Sequence, residues 1–252
     1  MSFEVAAEAY DRFMGRHSVQ LSPQLADLAA VEPGQHVLDV GCGPGALTAE
    51  LVARLDAEAV TAVDPSSPFV DAARARNPGV LVEQAPAERL PFADDRFDAA
   101  LAQLVVHFMD VPVAGLREMA RVTREGGVVA ASVWDLAGGR APLSPFWEAV
   151  RTLDPEARDE LDRPGTGKGH LPELFRQASL RDVREETHTA TSEFATFEEW
   201  WGPYTLGVGP AGAYVARLDN ETRDRLRDMC RERLRDAPFT LTSCAWAVRG
   251  TV

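Results

Sequence analysis

The sequence predicts an α/β fold with a doubly wound, mostly parallel sheet of about seven strands. Three observations lead to this prediction. From His36 onward, short apolar runs alternate with amphipathic helical patterns, the pattern of βαβ units in a sheet that is covered on both faces. The first apolar run leads directly into a glycine-rich turn, and two further strand-like runs close the chain. These features together indicate a Rossmann-like sheet with helical cap insertions.

The elements follow in a regular order. Five strands are predicted before Trp134, at "HVLDV", "AVTAVD", "VLVEQA", "FDAALAQL" and "GGVVAASVW". Helical patterns separate most of them, namely "ALTAELVARL", "PFVDAARARN" and "VAGLREMARVT". A further helix, "LPELFRQASL", then precedes two return strands, "RDVREETHTATSEF" and "FTLTSCAWAVRG".

The 252 residues are expected to form one domain, because no repeat or linker interrupts them. Its core comprises residues 31–135, 170–194 and 237–252, and the segments 1–30, 136–169 and 195–236 form a cap. The first cap segment carries Tyr10, Phe13, Met14 and His17 at helical spacing. In an open parallel sheet, ligands bind at the carboxyl ends of the strands, and there we expect the cap to lie.

Composition excludes several classes of function. The chain has 26 Lys and Arg and 39 Asp and Glu, a net charge of −13, which disfavours nucleic acid as a partner. The arginine-rich "ETRDRLRDMCRERLRD" alternates acids with its arginines and is interpreted as a solvated helix face. The three cysteines have no CxxC spacing, so neither a disulfide framework nor a metal site is expected. No signal or membrane segment is evident, and we expect a cytoplasmic protein.

The turn after the first strand predicts a nucleotide cofactor. Gly41, Gly43 and Gly45 let the backbone turn sharply and approach a ligand closely. Asp39, two residues earlier, would repel the phosphates of a dinucleotide and favour a ligand with an amino group and a sulfonium. Asp64 ends the second strand, where a carboxylate can accept hydrogen bonds from ribose hydroxyls. The alternative interpretations are a strand-end cap for Asp39 and a turn before Pro65 for Asp64.

Several stretches resemble the successive motifs of class I S-adenosylmethionine-dependent methyltransferases, in the branch that includes the ubiquinone/menaquinone C-methyltransferases. They are "VLDVGCGPG", "VTAVDPS", "AERLPFADDRFDAALAQLVVHFM" and "EMARVTREGGVVAASVWD". The early "YDRFMGRHS" is similar to a segment of the same branch. This similarity covers about residues 8–135 and implies S-adenosylmethionine as cofactor, whereas the acceptor differs within the branch.

The resemblance also implies roles for individual residues. Asp39, Gly41 and Gly43 would line the methionine portion of the cofactor, and Asp64 would bind the ribose. The other implied contacts are Ser66 beside the adenine, Ala87 and Glu88 at the adenine edge, the backbone of Gln103 near the methionine amino group, and Arg16 at the cofactor's carboxylate. An ordinary surface charge is the alternative for Arg16. Pro86 stands where the branch commonly has Asp or Asn, so adenine recognition is left to the backbone or Glu88.

The acceptor end of the site is expected in the cap. His107, after the fourth strand, is the candidate general base, although its apolar neighbours favour a packing residue. Aromatic residues concentrate in or beside the added segments, and either a cap core or a pocket for a small apolar or aromatic methyl acceptor would use them. The candidate acceptor contacts are Trp134, Phe146, Trp147, Trp200, Trp201 and Tyr204.

The sequence therefore predicts a small-molecule methyltransferase that works by in-line transfer, for which positioning can supply roughly 7–11 kcal/mol of the barrier. Three alternatives stay open. A non-catalytic protein that binds S-adenosylmethionine or its demethylated product would share every cofactor motif. An enzyme could use the sulfonium for other chemistry. An NAD(P)-dependent oxidoreductase is opposed by Asp39. The oligomeric state is not predicted.

Overall fold

The computed structural model describes residues 7–157, 159–234 and 237–252. Residues 1–6 of the first predicted cap segment and the last two residues of the arginine-rich stretch lie outside these ranges. No helix in the described ranges is long and apolar enough to cross a membrane.

Seven strands form one sheet in the order β3-β2-β1-β4-β5-β7-β6. They are β1 (Val37–Val40), β2 (Val60–Asp64), β3 (Leu81–Gln84), β4 (Phe97–Gln103), β5 (Thr123–Trp134), β6 (Arg181–Phe194) and β7 (Phe239–Thr251). The first five strands pair in parallel, and β7 runs antiparallel to both β5 and β6. This arrangement confirms the predicted doubly wound, mostly parallel α/β sheet.

Helices cover both faces of this sheet, as the alternating pattern requires. They are α1 (Ala7–Tyr10), α2 (Arg16–Leu28), α3 (Ala46–Leu55), α4 (Ser67–Arg76), α5 (Pro112–Val122), α6 (Ser144–Leu153), α7 (His170–Gln177), α8 (Phe197–Trp201), α9 (Gly209–Val215) and α10 (Asn220–Leu234). One face buries Leu25 of α2 and Leu51 of α3. The opposite face buries Leu116 of α5 and Phe175 of α7.

The added segments share a third hydrophobic cluster beside β5, β6 and β7. Phe13 comes from a turn of π-helix, Asp11–Gly15, that joins α1 to α2. Phe146 and Trp147 come from α6, Trp200 and Trp201 from α8, and Leu226 and Cys230 from α10. The cluster also contains Trp134, the last residue of β5. The cap is therefore assembled around the end of a central strand.

Helix α2 lies along β6, the last strand of the sheet. The side-chain amide of Gln20 donates to the carbonyl oxygen of Thr191 at 3.0 Å and accepts from its backbone N–H at 3.0 Å. Gln24 makes the same pair of bonds to Thr189, at 2.9 and 3.1 Å. These four bonds attach the first cap segment to the edge of the sheet.

Candidate active site

The glycine turn leaves one side of its backbone open. Gly41 and Gly43 have φ of +71° and +53°, in the left-handed region that favours glycine. A Cβ on Gly41 would lie 2.5 Å from a methyl carbon of Val105, so only glycine fits beside the loop that follows β4. A Cβ on Gly43 would meet nothing within 4 Å. The space beside Gly43 is available to a ligand that approaches the backbone.

Asp39 lies at the centre of the sheet and is 1% exposed. In register it stands between Ala62 of β2 and Leu101 of β4. Its Oδ2 accepts a hydrogen bond from Thr48 Oγ1 at 2.6 Å, whereas its buried Oδ1 has no hydrogen-bond partner among the described residues. Burial raises the pKa of Asp39 to about 7, and the nearby Asp64 raises it further, against the opposing effect of the Thr48 bond. A cationic group on a ligand would satisfy Oδ1 and stabilise the ionised carboxylate.

Asp64 ends β2 and supports the glycine turn. Its Oδ2 accepts from the backbone N–H of Gly43 and its Oδ1 from that of Ser66, both at 2.8 Å. Burial raises the pKa of Asp64 to about 6 despite these two bonds. Ser66, itself buried, immediately precedes α4. A carboxylate has about four lone-pair sites, so Asp64 can accept from hydroxyl groups as well.

Three further residues with predicted cofactor contacts lie in two places, one at the end of β4 and the other in the segment after β3. At the end of β4, Gln103 donates from Nε2 to the Ser18 carbonyl at 3.0 Å, and its buried Oε1 has no hydrogen-bond partner in the described part of the chain. Ala87 is buried, and the half-buried Glu88 accepts from the backbone N–H of Val111 at 3.2 Å.

Arg16 makes its contacts within the cap. It pairs with Glu199 at 3.0 Å and lies over the ring of Phe194. Its proposed contact with the cofactor's carboxylate stays a prediction.

A mostly apolar cavity adjoins this region and encloses about 490 Å³ of empty space, part of it open to solvent. Its walls come from the first helical segment, the loop after β4, the end of β5 and the cap. The lining residues are Tyr10, Phe13, Met14, Leu104, His107, Phe108, Trp134, Leu136, Leu143, Glu160, Val208, Gly209, Pro210 and Ala211.

The cavity and the glycine turn share walls. Leu104 and His107 line the cavity, and between them Val105 packs directly beside Gly41. Tyr10 lines the cavity as well, and its ring lies 5.3 Å from that of Phe69, in the first turn of α4. A ligand above the glycine turn would therefore lie next to a molecule held in the cavity.

Three polar side chains interrupt the apolar lining. His107 is buried, its Nδ1 has no hydrogen-bond partner, and burial together with the charge of Arg163 lowers its pKa to about 3. The indole Nε1 of Trp134 is also buried without a partner. Glu160 is 2% exposed, and burial raises the pKa of its carboxyl to about 7. Buried polar groups are rarely left unpaired, so His107 Nδ1 and Trp134 Nε1 indicate a bound partner such as a ligand or water.

The predicted aromatic residues divide between cavity and cap core. Among the tryptophan and tyrosine candidates for acceptor contact, Trp134 lines the cavity. The other four candidates, Trp147, Trp200, Trp201 and Tyr204, are not among its lining residues. Trp147 packs beneath the cavity and donates to Glu160 at 3.1 Å. The ring of Tyr204 stacks on Phe146 at 4.6 Å and lies 4.8 and 5.8 Å from Trp200 and Trp201. These rings form the centre of the cap, and their contact with an acceptor stays a prediction.

The sequence prediction missed two participants. Thr48 lies in α3, nine residues after its partner Asp39, and the glycine turn between them brings the two together. Glu160 lies in an irregular segment between α6 and α7 with no motif around it. A threonine in the first turn of the helix that follows a glycine-rich loop can be recognised in the sequence. A lone glutamate in an irregular segment cannot.

Comparison with known proteins finds methyltransferases among the relatives of this chain. A family model described as a methyltransferase domain matches residues 38–131. The chain is 31% identical over 183 residues to a malonyl-[acyl-carrier protein] O-methyltransferase of Erwinia billingiae, covering 71% of this chain and 70% of that protein. It is 39% identical over 101 residues to a demethylmenaquinone methyltransferase of Beutenbergia cavernae, covering 40% and 41%. Other curated relatives are matched over 58% or 49% of their length.

A solved structure shows the same fold. An S-adenosylmethionine-dependent methyltransferase of Thermotoga maritima superimposes with a TM-score of 0.57 at 19% identity, over 97% of this chain and 95% of that one. The fold of this chain is thus that of the class I methyltransferases. The chain belongs to the S-adenosylmethionine-dependent methyltransferase family, as its sequence motifs imply. Its cofactor is S-adenosylmethionine, and the unpaired Asp39 Oδ1 and the open space at Gly43 fit that cofactor.

Proposed function

We propose that this enzyme methylates a small apolar or aromatic molecule held in the cavity beside the glycine turn. The observation that carries the proposal is the shared wall of the two sites, where Val105 packs against Gly41 and its neighbour Leu104 lines the cavity. The bound cofactor supplies an activated methyl group on a sulfonium. The chain's own contribution is to hold an acceptor atom in line with that methyl and to exclude water.

The cofactor contacts are proposed as follows. Asp39 Oδ1 and Gln103 Oε1, the two unpaired oxygens at the carboxyl ends of β1 and β4, accept from the amino group of the methionine portion. Asp64 accepts from the ribose hydroxyls while its bonds to Gly43 and Ser66 hold the turn in shape. Ser66, Ala87 and Glu88 are proposed to border the adenine. We retain Arg16 as a candidate partner of the cofactor's carboxylate, which requires it to leave Glu199.

His107 is proposed to face the acceptor in its neutral form. With its pKa near 3, the ring is uncharged at neutral pH, and the unpaired Nδ1 is available to a proton of the acceptor. A base this weak takes up a proton only as the acceptor becomes acidic during methyl transfer. Orientation of the acceptor is therefore its main proposed contribution.

The relatives suggest a second acceptor class, a malonyl group on a carrier protein. A free carboxylate entering the cavity would approach Glu160, which is itself a carboxyl group. The apolar walls also offer little to an ionised acceptor. The cavity therefore favours an uncharged acceptor over a malonyl carboxylate.

Labelled methyl transfer tests the acceptor class. We expect enzyme supplied with methyl-labelled S-adenosylmethionine and a panel of small phenols and quinols to transfer label into the solvent-extractable fraction. Malonyl-carrier protein should stay unlabelled in a parallel reaction. Label that enters only the carrier protein would contradict the proposed acceptor class and leave the cofactor site unaffected.

A thermal shift tests the cofactor contacts. S-adenosylhomocysteine at 100 times its Kd should stabilise the protein by about 2.7 kcal/mol, and NAD should give no shift. Asp64→Asn should weaken this binding by about 1.5–3 kcal/mol, because it removes a charged hydrogen-bond acceptor. The exposed Asp71→Asn in α4 is the matched control. Equal affinities in the two variants would refute the ribose assignment.

A further inference from the structure

Glu160 is the one acidic residue among the cavity-lining residues of the described chain. It belongs to the cap segment between α6 and α7, and its hydrogen bond comes from Trp147 of the cap rather than from the glycine turn. A carboxyl group that is buried in an apolar cavity loses much of its hydration. This free-energy cost is offset only when a hydrogen-bond donor or an opposite charge is present. Its presence in an apolar cavity calls for a chemical explanation.

The position of Glu160 is fixed from several directions. Trp147 of α6 donates its indole N–H to Oε2 at 3.1 Å from below. The adjacent Asp159 pairs with Arg151 of α6 at 3.1 Å and accepts from the backbone N–H of Leu161 at 2.9 Å. The buried Thr166 closes the segment by donating to the Arg163 carbonyl at 2.8 Å. Glu160 is therefore a preorganised group rather than a mobile surface acid.

Four titratable neighbours set the electrostatics around this carboxyl. Arg163 favours its ionised form, whereas Asp159 opposes it. Tyr204 feels the charge of Glu160, and burial keeps that phenol protonated. His107 lines the same cavity and is neutral at pH 7. Within this set, Glu160 repels a second anion and attracts a hydrogen-bond donor. The apolar lining makes burial of a charged donor costly, so an uncharged donor is the best match.

We propose that Glu160 selects the acceptor by accepting a hydrogen bond from a hydroxyl group carried on an aromatic ring. This inference rests on the proposed function of the cavity and specifies its substrate class as phenolic. The ring packs against Phe13, Met14 and Leu136, and the hydroxyl lies at the polar end of the cavity. The same hydroxyl oxygen can accept from the unpaired Nε1 of Trp134. Glu160 also excludes aromatic carboxylates from the site.

Three probes that share one methylphenyl ring distinguish these interactions: p-cresol, toluene and 4-methylbenzoate, which carry a hydroxyl, a hydrogen and a carboxylate at the same position. Their binding to protein saturated with S-adenosylhomocysteine is measured by ligand-observed NMR titration at pH 7.5. We expect wild-type protein to bind p-cresol about tenfold more tightly than toluene, the effect of one hydrogen bond to a charged group. Binding of 4-methylbenzoate should be the weakest of the three.

Glu160→Gln keeps the size of the side chain and its bond from Trp147 but removes the charge. In this variant the preference for p-cresol over toluene should fall about tenfold, and 4-methylbenzoate should bind more tightly than to wild type. Glu156→Gln is the matched control, because Glu156 is an exposed acid on the same segment. Its three affinities should equal those of wild type, and melting temperatures of all proteins report whether each variant is folded.

Two results would overturn the inference, and they differ from each other. Equal wild-type affinities for p-cresol and toluene, or an unchanged preference in Glu160→Gln, would show that Glu160 does not select the hydroxyl and would leave the apolar cavity intact as an acceptor site. Absence of binding by both p-cresol and toluene would refute the cavity as the acceptor site and the proposed function with it. The wild-type comparison requires no variant to fold.

Discussion

At the scale of single residues, the site is defined by carboxyl groups that folding has removed from water. Asp39, Asp64 and Glu160 have pKa values raised to about 7, 6 and 7, in each case mainly by burial. Each therefore destabilises the ligand-free fold when it ionises. Ligands that bring hydrogen-bond donors or positive charge recover part of this free energy, so that binding and ionisation are coupled.

Asp39 provides a test of this coupling. A carboxyl whose folded pKa lies above its unfolded value favours folding below the unfolded pKa, near 3.8, and loses that contribution as the pH rises to the folded pKa, near 7. Asp39→Asn should therefore be more stable than wild type above pH 7, by up to about 4 kcal/mol, and lose this advantage near pH 4. Urea unfolding of the ligand-free proteins from pH 4 to 8 measures the difference. A pH-independent difference would show that Asp39 is ionised throughout.

His107 requires a separate experiment because its roles as base and as positioning group differ in pH dependence. His107→Asn should lower turnover of a phenolic acceptor about 10²-fold, the effect of misplacing a reacting atom by about 1 Å, with little change in cofactor affinity. The pH–rate profile of wild type should show no limb near 6.5, because the folded pKa is about 3. A limb near 6.5 that disappears in the variant would instead identify an ordinary histidine base.

At the scale of secondary-structure elements, the cap separates side chains that look alike in the sequence. Helix α8 has only five residues and buries both Trp200 and Trp201, at 4% exposure each. Trp201 lies between the rings of Phe197, at 6.3 Å, and Tyr204, at 5.8 Å. Trp134 occupies the end of a strand and meets the cavity. Trp201 and Trp134 should therefore respond differently to substitution.

Trp201→Ala should lower the free energy of unfolding by about 3–5 kcal/mol, because it truncates a buried aromatic residue in the cap core. Trp134→Phe keeps a ring but removes an unpaired N–H, so its stability should stay close to wild type while p-cresol binding weakens. Urea unfolding and the NMR titration measure both quantities on the same samples. If Trp201→Ala kept its stability but lost p-cresol binding, the acceptor contact expected from sequence would be supported.

The contrast between these elements shows what the sequence could predict. The sequence predicts where Asp39 and Asp64 lie because each is at or next to the carboxyl end of a strand, a local pattern whose spatial meaning is the same in every parallel sheet. Their contacts with the cofactor stay predictions. The clustering of tryptophans predicted an aromatic cap in the same way. The burial of Glu160, by contrast, depends on how residues 154–169 fold over α6 and face the loop after β4, and no local pattern encodes contacts between such distant segments.

At the scale of the whole molecule, the parallel half and the antiparallel half of the sheet support different parts of the structure. Strands β1, β2 and β4 bring Asp39, Asp64 and Gln103 to one end, where the cofactor contacts are proposed. Strands β5, β7 and β6 support the cap cluster. The family motifs lie in the first half, whereas the cavity that is proposed to hold the acceptor draws on both. The motifs therefore indicate the cofactor and say nothing about the acceptor.

The glutamine bonds along β6 have a consequence for solubility. The edge strand of an open sheet exposes N–H and C=O groups that can pair with another chain. Gln20 and Gln24 are four residues apart on a helix, a rise of about 6 Å, which nearly matches the spacing of about 6.6 Å between Thr189 and Thr191 on a strand. Their amides therefore imitate the backbone of an eighth strand and occupy the positions where a second molecule would add. We expect Gln20→Ala/Gln24→Ala to self-associate with increasing concentration in sedimentation experiments, whereas wild type and the exposed Gln177→Ala do not, and a double variant as dispersed as wild type would show that this edge needs no such protection.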